Sequence, residues 1–358
     1  MKRLKFCFVM LTALVLTGCS HFGGERLVDD RFNFNEAIGD SWKDQMLLNL
    51  VKLRYGDTPV FLGVQSVIAQ HNVRGSMNMG GSWSQGPSPW AGALGGSAEY
   101  SNSPTVTFAP MQGKVFGKSM LTPIPPMNII NLIQSGYSVK PVLRLTVKSI
   151  NGLRNVTDPD SIANPGDNRF YQLLDVMAEL QHENYLAIKE VKDEKSGQHT
   201  TLLRLREPQN EMMRDKLHEF RSLLGLDATA REYTIIFGLS TENNRQIAVL
   251  TRSILDVLTN LSDCIEVPPQ HVAENRASKS NQVTQVAGRQ LEPLMRIQSG
   301  GSKPSDAFTA VTYRGNWYWV EDRDFHSKFL FSFLMVAMQL VDTGEAPNSP
   351  SLVLPAGG

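Results

Sequence analysis

The chain has 358 residues, of which 35 are basic and 35 acidic, and 41% are hydrophobic. This length is sufficient for about two ordinary domains. The balanced charge argues against a basic face, so nucleic-acid binding and a polybasic membrane-binding patch are both disfavoured.

The first twenty residues have the pattern of an export signal. A basic head at residues 2–5 precedes an apolar run at residues 6–16, which closes with Leu16-Thr17-Gly18-Cys19. This combination is typical of a secretory signal, and the apolar run is shorter than the ~20 residues that a membrane-spanning helix needs. Two alternatives stay open. One is a signal cut elsewhere, with Cys19 an ordinary cysteine, and the other is a retained membrane anchor.

The segment Leu16-Thr17-Gly18-Cys19 resembles the lipobox of bacterial lipoproteins in residue class, spacing and position. The resemblance implies that signal peptidase II removes residues 1–18 and that Cys19 carries acyl chains on its thiol and its new amino group. One acyl chain holds a protein weakly, whereas two or more anchor it stably. Because Ser20 follows the cysteine, the resemblance also implies sorting to the outer membrane. The body would then face the periplasm or, alternatively, the cell surface.

Processing at this site would leave a nearly neutral chain without disulfides. The signal contains three basic residues and no acidic one, so the mature chain carries a net charge of about −3. Cys7 leaves with the signal and Cys19 is acylated, so Cys264 has no cysteine in the chain to pair with. We expect Cys264 to be a small buried apolar residue, with a reactive thiol as the alternative.

The N-terminal half is predicted to be an α+β region over residues 36–155, preceded by a polar tether over residues 19–35. A helix is predicted over residues 40–55, because apolar residues recur on one face and Asp40 or Ser41 can cap it. The dominant feature of this region is a long β-hairpin within residues 60–108.

The hairpin is predicted from an alternation of residue character. Over residues 67–84 most odd positions are apolar or glycine, while most even positions are polar. This period of two is typical of a strand with two different faces. More than half of residues 75–102 are glycine, serine or alanine, and only Glu99 is charged. Such strands bury little apolar area and specify their register weakly, so we expect them to need a partner surface.

Three interpretations of residues 67–108 are open. The first is a loop rich in glycine and serine. The second is a hairpin that pairs by strand addition with a neighbouring copy or with another envelope protein. In the third, several copies each contribute one hairpin to a membrane pore, since a spanning strand needs about 9–11 residues of alternating character. The first strand meets that requirement and ends near Trp83, whereas the second offers little apolar surface.

Beyond the hairpin, helical and strand patterns alternate. Helices are predicted at residues 115–121, 127–134, 139–153, 169–180, 210–224, 245–262 and 329–341. Strands are predicted at residues 185–191, 200–205, 232–237, 307–313, 316–321 and 351–354, with Arg314-Gly315 as a hairpin turn. Residues 156–168, rich in Asp, Pro and Gly, are predicted to link to a C-terminal domain of residues 169–358. The predicted fold class is α+β, with helices packed on a mixed or antiparallel sheet.

The sequence contains no strong catalytic, cofactor-binding or metal-binding signature. The G-x-S-x-G, P-loop, G-x-G-x-x-G, H-E-x-x-H and C-x-x-C motifs are absent, and the histidines are scattered. We therefore expect no cofactor, no metal site and no enzymatic activity. The local cluster with chemical potential is residues 317–326, where Asp322, Asp324 and His326 follow two tryptophans. In the structural interpretation, Asp324 or Ser327 caps the next helix.

Five stretches resemble a family of uncharacterised lipoproteins of Gram-negative bacteria. They are residues 48–59, 121–126, 134–137, 313–319 and 322–324. The resemblance covers most of the mature chain, agrees with the lipidation of Cys19 and implies no catalytic residue.

The leading hypothesis is a non-enzymatic outer-membrane lipoprotein, facing the periplasm, that serves as a structural or interaction component of an envelope assembly. Its partners would be the membrane, through Cys19, and envelope proteins or further copies, through residues 67–108. One alternative is a homo-oligomeric pore or transport component that uses residues 67–108. The other is an envelope hydrolase or glycan-binding protein that uses residues 317–326.

Overall fold

The structure is a computed structural model that describes residues 24–68, 71–83, 90–102, 105–155, 166–192, 199–278, 285–286, 288–339 and 352–355. The chain forms two compact units. The larger comprises Met1–Pro59 and Leu121–Leu340, and the smaller comprises Val60–Met120 and Val341–Gly358. The described residues form helices together with mixed and antiparallel sheets, which confirms the predicted α+β class.

The first described helix, α1, is longer than predicted. It spans Gly24–Arg54, whereas the sequence predicted a helix over residues 40–55 after a tether over residues 19–35. The extension contains no proline, so a helix is allowed there. Residues 31–33 are exposed, and this part of the helix therefore lacks the buried apolar face that would give a helical pattern in the sequence. The C-terminal half does show periodic burial, with Leu47, Leu50 and Val51 fully buried.

The remaining helices are short to medium in length. They are α2 Lys114–Leu121, α3 Pro126–Gln134, α4 Val139–Thr146, α5 Asn168–His182, α6 Glu211–Leu224, α7 Ile254–Ser262, α8 Pro269–Ala273 and α9 Phe325–Met338. The ends of α6 are capped: Asn210 accepts a hydrogen bond from the Met213 amide at its start, and Gly225 ends it with a positive φ of 65°.

The strands fall into five sheets in the described part of the chain. They are β1 Leu62–Ile68, β2 His71–Trp83, β3 Trp90–Asn102, β4 Thr105–Pro110, β5 Val147–Ile150, β6 Leu153–Arg154, β7 Leu186–Lys192, β8 His199–Leu205, β9 Glu232–Phe237, β10 Gln246–Thr251, β11 Gln285–Val286, β12 Arg289–Gln290, β13 Gln298–Gly300, β14 Ala307–Tyr313, β15 Asn316–Glu321 and β16 Leu352–Pro355.

A six-stranded mixed sheet lies in the larger unit. Its order is β6-β5-β10-β9-β8-β7, in which β9 and β10 run parallel and every other neighbouring pair is antiparallel. Apolar side chains of the sheet and of the helices around it are fully buried, among them Leu145, Phe170, Phe220 and Tyr233. This is the core of the larger unit.

The six-stranded sheet includes strands from both sides of the linker predicted at residues 156–168. β5 and β6 precede that segment, and β10, which pairs with β5, follows it. The observed units therefore differ from the predicted division into residues 36–155 and 169–358. A segment rich in proline and glycine indicates a loop. This composition is the same whether the loop connects elements of one domain or links two domains. Residues 156–165 lie outside the described residues.

Two long helices predicted from the sequence are each a strand joined to a shorter helix. Residues 139–153 form α4 followed by β5, and residues 245–262 form β10 followed by α7. Short apolar runs fit a buried strand and a buried helix equally well, so periodicity alone did not separate them.

A second, antiparallel sheet of the larger unit has the order β13-β15-β14. β14 and β15 have the predicted bounds and are joined by Arg314-Gly315, whose φ angles of 47° and 82° are both positive. This confirms the predicted two-residue hairpin turn.

The smaller unit contains the long hairpin predicted within residues 60–108. At its base, β1, β4 and β16 form a three-stranded antiparallel sheet, and beyond the base β2 pairs with β3. Within the described residues, none of the helices of either unit has the length and hydropathy needed to cross a bilayer.

Candidate functional site

The candidate interaction element is the long hairpin, which we define as β2 and β3. The two strands pair antiparallel over all thirteen residues of each. Ile68 pairs with Thr105 in the β1–β4 ladder, and His71 pairs with Asn102 in the long hairpin. His71 lies three residues after Ile68, and Asn102 lies three residues before Thr105. The two ladders therefore share one register. β16 covers β4, but no described strand pairs with the outer edge of β2 or β3.

The register sorts the residues of the long hairpin by character. Directly opposite residues of an antiparallel ladder lie on the same face. From Val73 onward, one set of opposite pairs is apolar or glycine: Val73–Tyr100, Gly75–Ala98, Met77–Gly96, Met79–Leu94, Gly81–Gly92 and Trp83–Trp90. The pair His71–Asn102, at the base of the hairpin, belongs to the same set and is polar. The alternating set contains most of the polar residues: Asn72–Ser101, Arg74–Glu99, Ser76–Ser97, Asn78–Gly95 and Ser82–Ala91, together with the small pair Gly80–Ala93. The hairpin therefore has one apolar face and one polar face.

A side-chain contact agrees with this sorting. The hydroxyls of Ser76 and Ser97 are exposed and share a hydrogen bond, with an oxygen–oxygen distance of 2.7 Å. The sequence alone predicted two faces for β2 and little for β3. The apolar residues of β3 become recognisable only through the strand that they pair with.

Of the two cysteines expected in the mature protein, the structure describes Cys264. Cys19, the predicted lipidation site, lies outside the described residues. Cys264 is 6% exposed, and burial raises the pKa of its thiol to about 11. A thiol with such a pKa is protonated near neutral pH and is a poor nucleophile. Cys264 is therefore a buried apolar residue, as expected, and the structure disfavours the reactive thiol.

The cluster at residues 317–326 has structural contacts. Asp324 accepts hydrogen bonds from the Ser327 amide at 3.1 Å and the Ser327 hydroxyl at 2.7 Å, so it caps α9. Asp322 forms an ion pair with Lys328 at 2.7 Å, while His326 is exposed. The carboxylates of Asp322 and Asp324 are thus occupied by the start of α9.

The tryptophans beside this cluster are partly covered. Lys303 Nζ lies 5.5 Å from the centroid of a Trp317 ring, and Trp319 packs on Gly300, where an added Cβ would lie 3.3 Å from the indole. A cation therefore already lies over the Trp317 ring, and the Trp319 indole is already in contact with β13. Residues 317–326 therefore offer little support for hydrolysis or glycan binding.

A buried hydrogen-bonded cluster that the sequence did not predict lies at the end of α1. The Tyr55 hydroxyl is 2.5 Å from His271 Nδ1 and 2.6 Å from the Tyr318 hydroxyl, and all three residues are buried. Burial and the hydrogen bond between Tyr318 and Tyr55 raise the pKa of Tyr318 far above its ordinary value, so Tyr318 stays neutral. We call these three residues the Tyr55 cluster.

Further contacts surround the Tyr55 cluster. Arg314 lies over the Tyr55 ring, with its Cζ 5.2 Å from the centroid, and donates to Asp57 Oδ2 at 3.2 Å. The Tyr313 hydroxyl also donates to Asp57. These residues belong to two of the stretches that carry the family resemblance, 48–59 and 313–319. Membership in these stretches was the signal that the sequence offered for these residues. The fold alone shows that the two stretches meet.

The larger unit also contains an apolar cavity of about 590 Å³ between the six-stranded sheet and the helices α3 to α6. Its lining includes Gln181, whose Oε1 accepts from the Val139 amide at 2.9 Å and whose Nε2 donates to the Tyr137 carbonyl at 2.9 Å. Ligand sites usually combine an apolar wall with a few polar groups that orient the ligand. The amide of Gln181 is already engaged, so it is not such a group.

Possible metal ligands are dispersed over the described ranges of the chain. These ranges contain no group of three or more His, Cys, Asp or Glu side chains arranged to hold a metal ion.

We predict that Tyr55→Phe destabilises the larger unit more than Tyr318→Phe does. Tyr55→Phe leaves both His271 Nδ1 and the Tyr318 hydroxyl without their hydrogen bond, and each such buried group costs about 1–3 kcal/mol. Tyr318→Phe leaves the Tyr55–His271 hydrogen bond intact and should cost about 1 kcal/mol. Urea denaturation of both variants measures the difference. Equal losses would show that Tyr55 does not join the other two residues.

We predict that Asp324→Ala lowers the free energy of unfolding by about 1 kcal/mol at pH 7, through loss of the α9 cap. Partial burial acts to raise the pKa of Asp324, but the hydrogen bonds from Ser327 and the charge of Arg296 outweigh it and lower the pKa. The ionised carboxylate therefore stabilises the fold at neutral pH. This contribution should disappear as the pH falls below about 4 and through the lowered pKa.

Urea denaturation at pH 7 and pH 3 tests this prediction. Asp322→Ala is the matched control, because its partly exposed ion pair with Lys328 should contribute less than the cap does, about 0.5 kcal/mol or below. An Asp324→Ala variant with unchanged stability at pH 7 would contradict the capping role and reopen a chemical role for this carboxylate.

No protein-family model, curated protein or solved structure matches this chain. Function is therefore inferred from the residues and geometry of the chain itself. The Tyr55 cluster and residues 317–326 have contacts that explain them structurally. The open edges of the long hairpin have no partner in the described part of the chain, which makes the hairpin the candidate functional site.

Proposed function

We propose that this protein is a lipid-anchored, non-enzymatic component of the outer membrane, facing the periplasm, that builds an envelope assembly from several copies of itself. Cys19 would carry the lipid, and the long hairpin would make the contacts between copies. One observation carries the proposal: β2 and β3 are paired with each other along their whole length, and no described strand covers their outer edges.

Open strand edges favour association. Each outer edge presents backbone N–H and C=O groups over thirteen residues and is a template for another strand. Folded proteins shield such edges with proline, lysine or a covering element, yet β2 and β3 contain neither proline nor lysine. A two-stranded hairpin alone is also marginally stable in water. We infer that both edges are paired in the working protein.

A second copy supplies edges that match. β2 and β3 run in opposite directions, so β2 of one copy placed beside β3 of the next continues the antiparallel ladder. The contact is head-to-tail, because the β2 edge of each copy meets the β3 edge of its neighbour. Such contacts close into rings when the rotation between copies permits it. A single strand from another envelope protein would cover one edge and leave the other open.

The proposed lipid anchor supports this assembly. Confining the copies to one membrane raises their effective concentration, which strengthens pairing that would be weak between freely diffusing chains. Two or more acyl chains on Cys19 would hold each copy stably without help from the folded body.

We predict that labelled palmitate is incorporated into the wild-type chain and is not incorporated into Cys19→Ala, because Cys19 is the proposed acylation site. Cys7→Ala is the matched control and should be labelled like the wild type, since Cys7 lies in the removed signal. Gel autoradiography of the purified protein is the measurement. Label on Cys19→Ala would show that lipid is attached elsewhere, and an unlabelled wild type would rule out the anchor.

We predict that replacing residues 76–97 by Asn-Gly converts the assembled protein into monomers. Gly75 and Ala98 are paired, so a two-residue turn joins them without changing the register of the strands that remain. Sedimentation of the full-length protein in detergent measures the number of copies. Replacing Arg314-Gly315 by Asn-Gly puts the same turn into the β14–β15 hairpin and should leave assembly unchanged.

Two results would contradict the proposal. A shortened variant that assembles like the wild type would show that the long hairpin is not the contact. A wild type that is monomeric by itself but purifies with a different envelope protein would favour strand addition to that protein.

A further inference from the structure

We infer that the assembled hairpins cross the outer membrane and line a pore. This inference rests on the proposed function, because it requires several copies joined edge to edge. It goes beyond assembly by assigning an environment to each face of the long hairpin and a transport activity to the protein.

The strands have the length that a membrane requires. Thirteen residues at about 3.3 Å each extend roughly 43 Å. Strands of membrane pores tilt by about 40°, which leaves roughly 33 Å along the membrane normal, against a hydrocarbon thickness of about 25–30 Å. β2 and β3 therefore reach across the bilayer with a small excess.

The register gives the hairpin the two faces that a pore needs. Lipid requires apolar residues on one face of a spanning strand, and an aqueous lumen accepts polar residues on the other. The pairing places Val73, Met77, Met79, Leu94 and both tryptophans on one face, and Arg74, Ser76, Asn78, Ser97 and Glu99 on the other. The small residues of β3 belong to the same two sets. The observed pairing assigns each residue of β3 to one of the two faces, which the alternation of β3 alone did not reveal.

Charge and aromatic residues mark two boundaries along the hairpin. Arg74 pairs with Glu99, and beyond this pair residues 75–83 and 90–98 contain no charge. Each of these stretches has nine residues, the lower end of the about 9–11 residues that cross a membrane. Trp83 pairs with Trp90 at the far end, and tryptophan concentrates at the membrane–water boundary. The charge-free stretch is therefore delimited by residues suited to the two surfaces of a bilayer.

The membrane makes edge pairing obligatory. A backbone N–H or C=O group without a hydrogen-bond partner is strongly disfavoured in hydrocarbon, so a lone hairpin with two open edges cannot stay inserted. A ring of copies satisfies every backbone group, because each edge of β2 meets an edge of β3. The same pairing that builds the proposed assembly is thus the condition for insertion.

Planar-bilayer recording of the full-length, lipidated protein tests the inference. The wild-type oligomer should give discrete conductance steps. Met79→Arg puts a charge on the apolar face in every copy and should abolish conductance. Asn78→Arg is the matched control at the neighbouring position on the polar face. It should conduct and, under a salt gradient, shift the reversal potential towards anion selectivity.

The outcomes separate the pore from the assembly. Oligomers without conductance overturn the pore and leave the assembly intact, whereas a protein that never assembles overturns both. Equal conductance of Met79→Arg and Asn78→Arg overturns the assignment of the faces. If Met79→Arg does not fold, Met79→Leu should conduct like the wild type, and an unchanged reversal potential for Asn78→Arg contradicts a lumen-facing position.

Discussion

Backbone pairing between antiparallel strands is the constraint on which the proposed function of this protein depends. One register runs from the β1–β4 ladder into the long hairpin, and β16 covers β4 only at the base. Beyond the base, the N–H and C=O groups of both outer edges need water or another strand as partner. An edge that is tolerated in water becomes costly wherever water is excluded. Exclusion of water therefore drives the hairpin towards a second strand.

The larger unit is held together by contacts between residues far apart in the sequence. The end of α1 is fixed by the Tyr55 cluster, and Arg54 adds an ion pair with Asp263 at 3.0 Å and a hydrogen bond to the Ser278 carbonyl at 2.8 Å. The side chain of Arg54 is almost fully buried, and a buried charge is tolerated when it is paired and hydrogen-bonded. These contacts join the end of α1 to residues 209 to 263 positions further along the chain.

The sequence predicted features that depend on local pattern and missed those that depend on distant residues. The predicted helix over residues 210–224 matches α6 to within one residue, and the predicted Arg314-Gly315 turn joins β14 and β15, because such features are decided within a few residues. The split of residues 139–153 into α4 and β5 was missed, since pairing with β10 decides it. Tyr55 and His271 are brought together by the fold, and no spacing in the chain predicts that contact.

The long hairpin shows the same division within one element. Alternation predicted the two faces of β2, whereas the glycines and alanines of β3 are assigned to a face only by their pairing with β2.

This division has a physical consequence for how the hairpin encodes function. Strand addition uses backbone groups, which every residue except proline provides, so a segment rich in glycine and serine can assemble as well as any other. The environment of the assembled hairpins depends instead on side chains, and in β2 those alternate strictly enough to distinguish lipid from water. In the proposed assembly, association would therefore depend on the backbone atoms of β2 and insertion on its side chains. A substitution on one face can therefore change the environment of the hairpin while leaving its edges free to pair.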